Sequence, residues 1–317
     1  MDILNFGIQI VLLILGFVLL IKGADWFVEG ASKIADRFHI PQIIIGLTIV
    51  AFGTSAPEAA ISITAAINGN ADLTIGNIVG SNILNVIIIL GITSCIIPLV
   101  IQKSTLKYEV PFLIIITAIF GTLGGIDGTI GFGDGVILWA LFIVFFIYLI
   151  YQAKHGQAVV DEIEQTEKKE GIFKLILITI LGLAAVVIGS DITVDSASNI
   201  ATTLHMSQRL IALTIVAFGT SLPELITSVT AAKKGNSDIA MGNIIGSNIF
   251  NILFVVGTTA LITPVPFASQ FVIDTIIALA SVIFLWICVF KDRKLGRTGG
   301  IIMLIGYAVY FIYLLLR

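Results

Sequence analysis

Apolar residues fill the chain in runs that are long enough to cross a lipid bilayer, and short polar stretches separate these runs. A transmembrane helix needs about 20 predominantly apolar residues. The pattern predicts ten such helices, at residues 3–22, 40–68, 73–100, 109–126, 131–152, 172–197, 208–232, 239–262, 270–290 and 299–316. The longest polar stretch, residues 153–171, follows the fifth helix. The expected fold is an all-α integral membrane protein with ten transmembrane helices.

The composition agrees with a membrane protein. Only 12% of the residues are charged and 57% are hydrophobic, whereas about 25% of the residues of a soluble domain are charged. The first 20 residues lack the basic start and small-residue cleavage site of a signal peptide, so they are interpreted as the first span. Cys95 and Cys288 both lie in apolar runs, which favours buried thiols over a disulfide or a metal site. With a net charge of −3, no nucleic-acid partner is expected.

Lysine and arginine residues predict the orientation, because they are enriched in loops on the cytoplasmic side. If the N-terminus is outside and ten spans alternate, 15 of the 17 basic residues fall on the inner side and only Arg209 and Arg317 do not. The prediction is therefore a multi-pass protein of the cell membrane with both termini outside. Residues 153–171 would then form a cytoplasmic linker.

The chain contains an internal duplication. When residues 23–91 are laid over residues 189–257 without a gap, 37 of 69 pairs are identical. Each half has five predicted spans, an odd number, so the second half should enter the membrane from the opposite side. Such inverted repeats are typical of secondary transporters, with the site near mid-membrane. The predicted units are residues 1–152, with a motif region at 40–91, and residues 172–317, with a motif region at 206–257.

The most polar part of the repeat lies in the middle of a span. Ile49–Glu58 reads IVAFGTSAPE, and the second half repeats it as IVAFGTSLPE. Proline removes a helical hydrogen bond, so Pro57 should free the carbonyl of Gly53, and Pro223 that of Gly219. A freed carbonyl is tolerated in a membrane where it lines a cavity. The end of the preceding half-helix also favours a cation. The backbone alone therefore predicts a cation site.

Side chains beside each break supply further oxygen atoms. Thr54, Ser55 and Glu58 share one helix face at this spacing. The next span carries a stripe of amides and hydroxyls at intervals of four residues. The stripe consists of Asn77, Ser81 and Asn85. The second half supplies Thr220, Ser221 and Glu224 at its break, and Asn243, Ser247 and Asn251 in its own stripe. Oxygen ligands with two carboxylates suit a hard cation such as Ca²⁺ or Na⁺, not zinc or copper.

A purely structural role is the alternative for these residues. A carboxylate at the centre of a transmembrane helix costs about 3 kcal/mol on insertion scales, and this chain carries two, which argues against a packing role for Glu58 and Glu224. Serine and asparagine also join membrane helices by hydrogen bonds. That reading stays open for Ser81, Asn85, Ser247 and Asn251. His39 and His205, which match across the repeat, are interpreted as residues at helix ends.

The two motifs G-T-S-x-P-E and G-S-N-x-x-N, each present in both halves, resemble those of the sodium/calcium exchangers of the cation/calcium exchanger superfamily, and the resemblance covers the whole chain. It implies that Glu58 and Glu224 hold Ca²⁺ at a central site. It implies Na⁺ and Ca²⁺ ligands from the carbonyls of Ala51 and Ala217 and the side chains of Thr54, Thr220, Ser55, Ser221, Ser81 and Ser247. Asn85 and Asn251 match a pair near the middle position, where some prokaryotic members carry an aspartate.

The resemblance implies electrogenic Na⁺/Ca²⁺ antiport by alternating access, in which the first and sixth helices slide against the rest. Ca²⁺ and Na⁺ are the expected ions, no cofactor is expected, and the chain is expected to act as a monomer in the bilayer. A proton/calcium antiporter or a K⁺-dependent exchanger on the same fold remains open, as does a channel. Members that transport K⁺ usually carry an acid where Asn251 stands. An enzyme is not expected, because Ser55 and Ser221 have no base beside them other than a carboxylate.

Overall fold

The computed structural model describes residues 3–155, 170–206, 215 and 217–316. These residues form an almost entirely helical protein. The helical segments are α1 Ile3–Phe38, α2 Gln42–Thr54, α3 Ala56–Ile67, α4 Leu73–Ile96, α5 Thr105–Asp127, α6 Phe132–His155, α7 Ile172–Thr203, α8 Ala217–Gly219, α9 Leu222–Lys233, α10 Ser237–Ile262, α11 Ser269–Phe290 and α12 Arg297–Leu316.

The helices agree with an all-α membrane protein. Within the described residues, eight helices are long and apolar enough to cross a membrane, and the bent pair α2 and α3 forms a ninth candidate. The first part of the predicted span 208–232 lies outside the described residues, so that α8 and α9 are the part of it that can be placed. Exposed side chains such as Phe173, Ile147 and Val309 give the outer helices an apolar surface that suits lipid.

The first helix is longer than the apolar pattern predicted. A span was expected at residues 3–22, with Lys22, Lys33 and Arg37 in a loop, but α1 continues without interruption to Phe38. Its 36 residues extend about 54 Å, well beyond the roughly 30 Å thickness of the hydrocarbon core. The extension is stabilised by packing, since Phe27, Val28, Ala31 and Ala35 are all fully buried on one face.

Two histidines end the long helices at equivalent places in the repeat. His39 follows α1 and has φ 55°, and His205 follows α7 and has φ 59°. In each case the next backbone N–H turns back to an alanine carbonyl, Ile40 to Ala35 and Met206 to Ala201. A left-handed residue that closes such a bond is a common helix terminus. The histidines therefore lie at helix ends, as the sequence indicated.

Helices α4 and α10 form the centre of the protein. In their most apolar windows 83% and 94% of the residues are buried, compared with 17% in α1, α6 and α12. Both contain a stretch of π-helix, Leu84–Ile89 in α4 and Asn251–Val256 in α10. A π-helical turn inserts an extra residue and is frequent at functional sites. The two motif helices are thus the buried core around which the others pack.

Helices α1 and α7 lie side by side at a distance that only glycine permits. A Cβ atom added to Gly182 would lie 2.4 Å from the backbone nitrogen of Phe27, and one added to Gly189 would lie 2.7 Å from that of Leu20. Small residues let membrane helices approach so closely that their backbones touch. The pair also shares a small apolar cluster of its own, Leu20, Ala24 and Val186, against which Leu222 and Ile226 pack.

Four two-residue strands join loops at the ends of the helices. They are β1 Leu99–Val100, β2 Thr129–Ile130, β3 Val265–Pro266 and β4 Lys294–Leu295. Strand β1 pairs with β4, with Leu99 opposite Leu295, and β2 pairs with β3, with Ile130 opposite Val265. Each pair therefore joins a strand of the first half to a strand of the second. At the repeat offset of 166 residues, Leu99 is equivalent to Val265 and Thr129 is equivalent to Leu295.

A methyl group at Gly182 tests the packing of α1 against α7. We expect Gly182→Ala to lower the thermal unfolding midpoint in detergent, because overpacking costs about 1–3 kcal/mol and the obstructing atoms belong to a backbone. The matched control is Gly306→Ala in α12, where a Cβ meets nothing within 4 Å. Equal midpoints for the two variants would contradict the described contact.

Candidate functional site

The first helix break lies at Ser55, between α2 and α3. The two helices are bent by 49°, and Ser55 has φ −85° and ψ 6°. Pro57 follows in the first turn of α3, where it has no N–H to donate to the carbonyl of Gly53. That carbonyl instead accepts a backbone N–H of the helix cap. The sequence placed this break correctly near the middle of a span. It did not show that Thr54 and Glu58 would lie on opposite sides of it.

The second half repeats this geometry. Ser221 has φ −92° and ψ 2°, and Pro223 lies in the first turn of α9. Glu58 and Glu224 both occupy the first turn of the helix that follows the break. A helix N-terminus carries partial positive charge and stabilises a carboxylate. Each break therefore joins a helix end that favours cations to a helix start that holds an acid.

The two glutamates are buried and incompletely paired. Glu58 is 1% exposed and Glu224 is 0% exposed. Both carboxylate oxygens of Glu58, and Oε2 of Glu224, have no hydrogen-bond partner among the described residues. Buried charges are normally paired or bound to metal, which makes this pair of carboxylates the candidate cation site.

Neutral oxygen atoms surround the carboxylates. The Ser55 hydroxyl donates to Oε1 of Glu224 at 3.0 Å, and the Ser81 hydroxyl lies close to Glu58. The amide oxygens of Asn85 and Asn251 and the hydroxyl of Ser221 are buried and have no hydrogen-bond partner in the part of the chain that the structure describes. In the described residues no group of three or more His, Cys, Asp or Glu side chains forms a metal site. The site therefore combines two carboxylates with hydroxyl, amide and carbonyl oxygens.

Four asparagines cross-link α4 and α10 at the centre. The Asn85 amide donates to Oδ1 of Asn248 at 3.0 Å, and Asn251 donates to Oδ1 of Asn82 at 3.1 Å. Asn82 and Asn248 also donate to each other's backbone carbonyl, at 3.3 and 3.2 Å. Each amide nitrogen is thereby satisfied. The oxygen atoms of Asn85 and Asn251 remain the unpaired atoms of the network.

A second set of hydrogen bonds fixes the turn that carries each glutamate. Asn77 donates to the Glu58 carbonyl at 3.4 Å and to the Ser62 hydroxyl at 3.0 Å. Asn243 makes the same two bonds in the second half, to the Glu224 carbonyl at 3.4 Å and the Ser228 hydroxyl at 2.9 Å. These asparagines thus support the site from behind. The sequence analysis missed the two serines, although they are identical across the repeat and one helical turn beyond each glutamate.

The contacts around the breaks are unequal in the two halves. Thr54 donates to Oδ1 of Asn243 at 3.0 Å, and Ser247 donates to the Ala51 carbonyl at 3.4 Å. Helix α2 also packs tightly on α10, because a Cβ added to Gly246 would lie 2.8 Å from the Cα of Leu47. The first-half break is therefore joined closely to the second half.

At the second break, Ser221 is 2% exposed and its hydroxyl has no partner among the described residues, so the bond from Ser55 to Glu224 has no described counterpart there. Thr220 is only partly buried. Ala217 is the first residue of α8. The second break also has a contact that the sequence did not predict. The hydroxyl of Ser190 in α7 donates to the Gly219 carbonyl at 2.9 Å. That carbonyl is the one that Pro223 frees. The sequence signal for Ser190 was absent, because its repeat equivalent is Ala24.

The fold and these residues define a polytopic membrane protein with a buried cluster of carboxylate, hydroxyl and amide oxygens between two similar halves. The family model for the sodium/calcium exchanger protein matches residues 8–151 and 174–316 of the chain. The chain belongs to this sodium/calcium exchanger family. The family is one of transporters and not of enzymes.

Individual relatives match over almost their full length. The sodium/calcium exchanger MaX1 of Methanosarcina acetivorans is 31% identical, over 97% of this chain and 98% of its own. The inner membrane protein YrbG of Escherichia coli is 32% identical, with 94% of both chains covered. A solved structure of the sodium-calcium exchanger NCX_Mj, soaked without Na⁺ and Ca²⁺, has a TM-score of 0.83 at 32% identity and covers 96% of this chain and 98% of its own.

The asparagine network makes a stability prediction. We expect Asn248→Ala to destabilise the protein by about 1–3 kcal/mol, the usual cost of leaving a buried polar group unpaired, because Asn85 loses its acceptor and the Asn82 carbonyl loses a donor. Thermal unfolding in detergent measures the change. Asn68→Ala, at the exposed end of α3, is the matched control and should leave the midpoint nearly unchanged. If both variants unfold at the wild-type midpoint, the asparagine network does not contribute to the stability of the protein.

Proposed function

We propose that the chain is an antiporter that exchanges Na⁺ for Ca²⁺ across the cell membrane by alternating access. The observation that carries this proposal is the pair Glu58 and Glu224, buried in the first turns of two broken helices with three carboxylate oxygens unpaired. An isolated carboxylate in this position is costly. A pair of them at the facing breaks of a repeat is what a transported divalent cation requires.

Ca²⁺ is the divalent ion that the donor atoms fit best. It takes six to eight oxygen ligands in flexible geometry. The two glutamates would neutralise its charge, with Thr54, Thr220 and the carbonyls of Ala51 and Ala217 as further ligands. The sulfur ligands that would favour softer metals are absent from the described site, since the two cysteines lie elsewhere, in α4 and α11.

Na⁺ ions would bind to oxygen atoms of the same set, divided among more than one site. Ser55, Ser81, Ser221 and Ser247 would complete two Na⁺ sites on either side of the centre, and Asn85 and Asn251 would lie near the middle position. Because Ca²⁺ and Na⁺ need the same carboxylates, they exclude each other. Direct competition therefore couples the two fluxes, and no long-range mechanism is required.

The charge of the site favours electrogenic exchange. Two glutamates balance one Ca²⁺, so a complex with three Na⁺ would carry one positive charge through the membrane. An elementary charge that crosses the membrane field gains about 2.3 kcal/mol per 100 mV. The membrane potential would then add to the Na⁺ gradient in moving Ca²⁺.

The two halves, residues 1–152 and 172–317, would form inverted five-helix repeats. Support comes from the reciprocal strand pairs, in which β1 and β3 are repeat equivalents but belong to opposite pairs. The unequal contacts at the two breaks also fit a transporter that is open to one side at a time. With both termini outside, α2 occupies the cytoplasmic half of the membrane, and its close packing on α10 would seal that side.

The remaining features of this proposal are the span count, the linker and the oligomeric state. Ten spans follow if α8 and α9 complete a seventh span, and residues 153–171 are then a cytoplasmic linker. Each chain holds both glutamates, so a monomer would contain a whole site. No bound cofactor is needed.

The paired glutamates give the central test. Purified protein in Na⁺-loaded liposomes is expected to take up radioactive Ca²⁺ when the outer solution contains choline, and Glu58→Gln and Glu224→Gln should each reduce that uptake at least a hundredfold, since each removes half of the charge that balances Ca²⁺. The matched control is Asp127→Asn, an exposed carboxylate at the end of α5, which should transport at the wild-type rate.

Two further outer conditions separate the alternatives. Uptake that follows a pH gradient and ignores internal Na⁺ would identify proton/calcium antiport. Uptake that needs K⁺ together with Ca²⁺ would identify a K⁺-dependent exchanger. If wild-type protein moves no Ca²⁺ under any gradient, the proposal is wrong.

The orientation can be tested with single cysteines. In a Cys95→Ser/Cys288→Ser background, we expect Lys294→Cys in β4 to react with a membrane-impermeant maleimide only in inside-out vesicles. Asp127→Cys, which the proposed topology places outside, should react only in intact cells. Both positions are exposed in the structure. Labelling of the two cysteines from the same side would rule out the proposed arrangement.

A further inference from the structure

The hydrogen bond between Ser190 and Gly219 joins two parts of the site that the repeat alone does not connect. Ser190 lies in the middle of α7 and is 4% exposed. Its hydroxyl donates at 2.9 Å to the carbonyl of Gly219. That carbonyl ends α8, two residues beyond the backbone carbonyl of Ala217 and directly before Thr220. The bond therefore holds the backbone from which the second-half ligands project.

The first half has no such bond available. The repeat equivalent of Ser190 is Ala24, and the residues beside it are the same in both halves, Gly23 matching Gly189 and Asp25 matching Asp191. Ala24 is fully buried in α1 but has no hydroxyl. Pro57 and Pro223 each remove the usual helical donor of the glycine carbonyl four residues earlier. The Gly53 carbonyl accepts a backbone N–H of the helix cap, whereas among the described residues the Gly219 carbonyl accepts the side-chain hydroxyl of Ser190.

Helix α7 also contacts the second break sterically. A Cβ added to Gly219 would lie 2.2 Å from Cγ2 of Val194, one helical turn after Ser190. In contrast, a Cβ on Gly53 would meet only the ends of the Leu183 and Phe27 side chains, at 3.0 Å or more. The contact of α7 with the second break is thus closer and includes a buried hydrogen bond.

We propose that Ser190 is a positioning residue that stabilises the arrangement described here and so sets the balance between the two access states. This inference rests on the proposed exchange function. In this arrangement α2 is packed on α10 and the first-half break is bonded to the second half. The Ser190 hydroxyl adds one further bond that exists only while α7 lies against the Gly219 carbonyl.

The bond joins α7 to a different element, the broken span that contains Gly219, so a shift of α7 along that span would break it. Helices α1 and α7 pack on each other through backbone contacts and share a small apolar cluster, against which Leu222 and Ile226 of the broken span pack. In an inverted repeat, exchanging the roles of the two halves produces the opposite access state. In that opposite state the contact between Ser190 and Gly219 would be replaced by a contact between Ala24 and Gly53. Because alanine has no hydroxyl, the hydrogen bond would have no equivalent.

The experiment compares the apparent KM for Ca²⁺ at the two membrane faces. Right-side-out and inside-out vesicles give the outer and inner values for wild type, Ser190→Ala, Ser190→Thr and the double variant Ala24→Ser/Ser190→Ala. Each apparent KM equals the intrinsic KM divided by the population of the state that is open to that face. A change of intrinsic affinity that is the same at both faces cancels in the ratio of the outer to the inner KM, so a change in this ratio reports a change in the conformational equilibrium.

We expect Ser190→Ala to raise this ratio about two- to tenfold, the factor that corresponds to one net intramolecular hydrogen bond. The outer KM rises and the inner KM falls, because the state closed to the cytoplasm loses a bond. Ser190→Thr keeps the hydroxyl and should keep the wild-type ratio. The double variant moves the hydroxyl to the first half, so its ratio should rise further than that of Ser190→Ala.

An unchanged ratio in Ser190→Ala would overturn the inference, and so would a change that Ser190→Thr reproduces. General damage to the site would raise the KM at both faces together and leave the ratio constant, which also counts against a positioning role. Wild-type vesicles provide the separate control for the exchange function. If they transport no Ca²⁺, the proposed function fails before Ser190 is tested.

Discussion

The burial of two carboxylates, and of the backbone carbonyls at the two helix breaks, is the constraint on which this structure depends. Every such group costs several kcal/mol in a dry interior unless another group or an ion satisfies it. Groups of the protein itself offset part of this free-energy cost. Glu58 and Glu224 lie at helix N-termini. The Ser55 hydroxyl donates to the Glu224 carboxylate, and the Ser190 hydroxyl donates to the Gly219 carbonyl. Among the described residues both carboxylate oxygens of Glu58 and one of Glu224 remain unpaired, which supports the proposed binding of a cation over a packing role.

The neutral amides allow this site to keep its shape. Asn82, Asn85, Asn248 and Asn251 connect α4 to α10 by bonds that are nearly identical in the two directions. A fully satisfied network of buried polar groups is rigid, whereas a partly satisfied one is costly. Here the nitrogens are satisfied and two oxygens are left over. The network therefore joins α4 to α10 through its nitrogens, and the Asn85 and Asn251 oxygens would be satisfied only by a further donor or by the proposed cation.

The sequence predicted the fold and the candidate site to different depths. Apolar run lengths located the spans, and proline chemistry located both helix breaks, since these are local properties of the chain. The long extension of α1 was missed because packing against α7, and not apolar character, stabilises it. Ser62, Ser228 and the π-helical turns were missed because their role depends on which helices meet. Whether Glu58 and Glu224 bind the transported ion stays a prediction, as does the span count of ten.

The unequal contacts of the two halves are what a sequence repeat cannot show. If the halves were identical, exchanging them would leave the energy unchanged and both access states would be equally populated. Any preference must therefore come from positions at which the halves differ. Ser190 against Ala24 is a buried difference. Lys234, which pairs with Asp25 at 2.9 Å, is an exposed one, because its equivalent is Asn68. Exposed ion pairs contribute about 0–1 kcal/mol and weaken with salt, whereas a buried hydroxyl bond does not face solvent ions. A preference that survives high salt would thus originate in the buried difference.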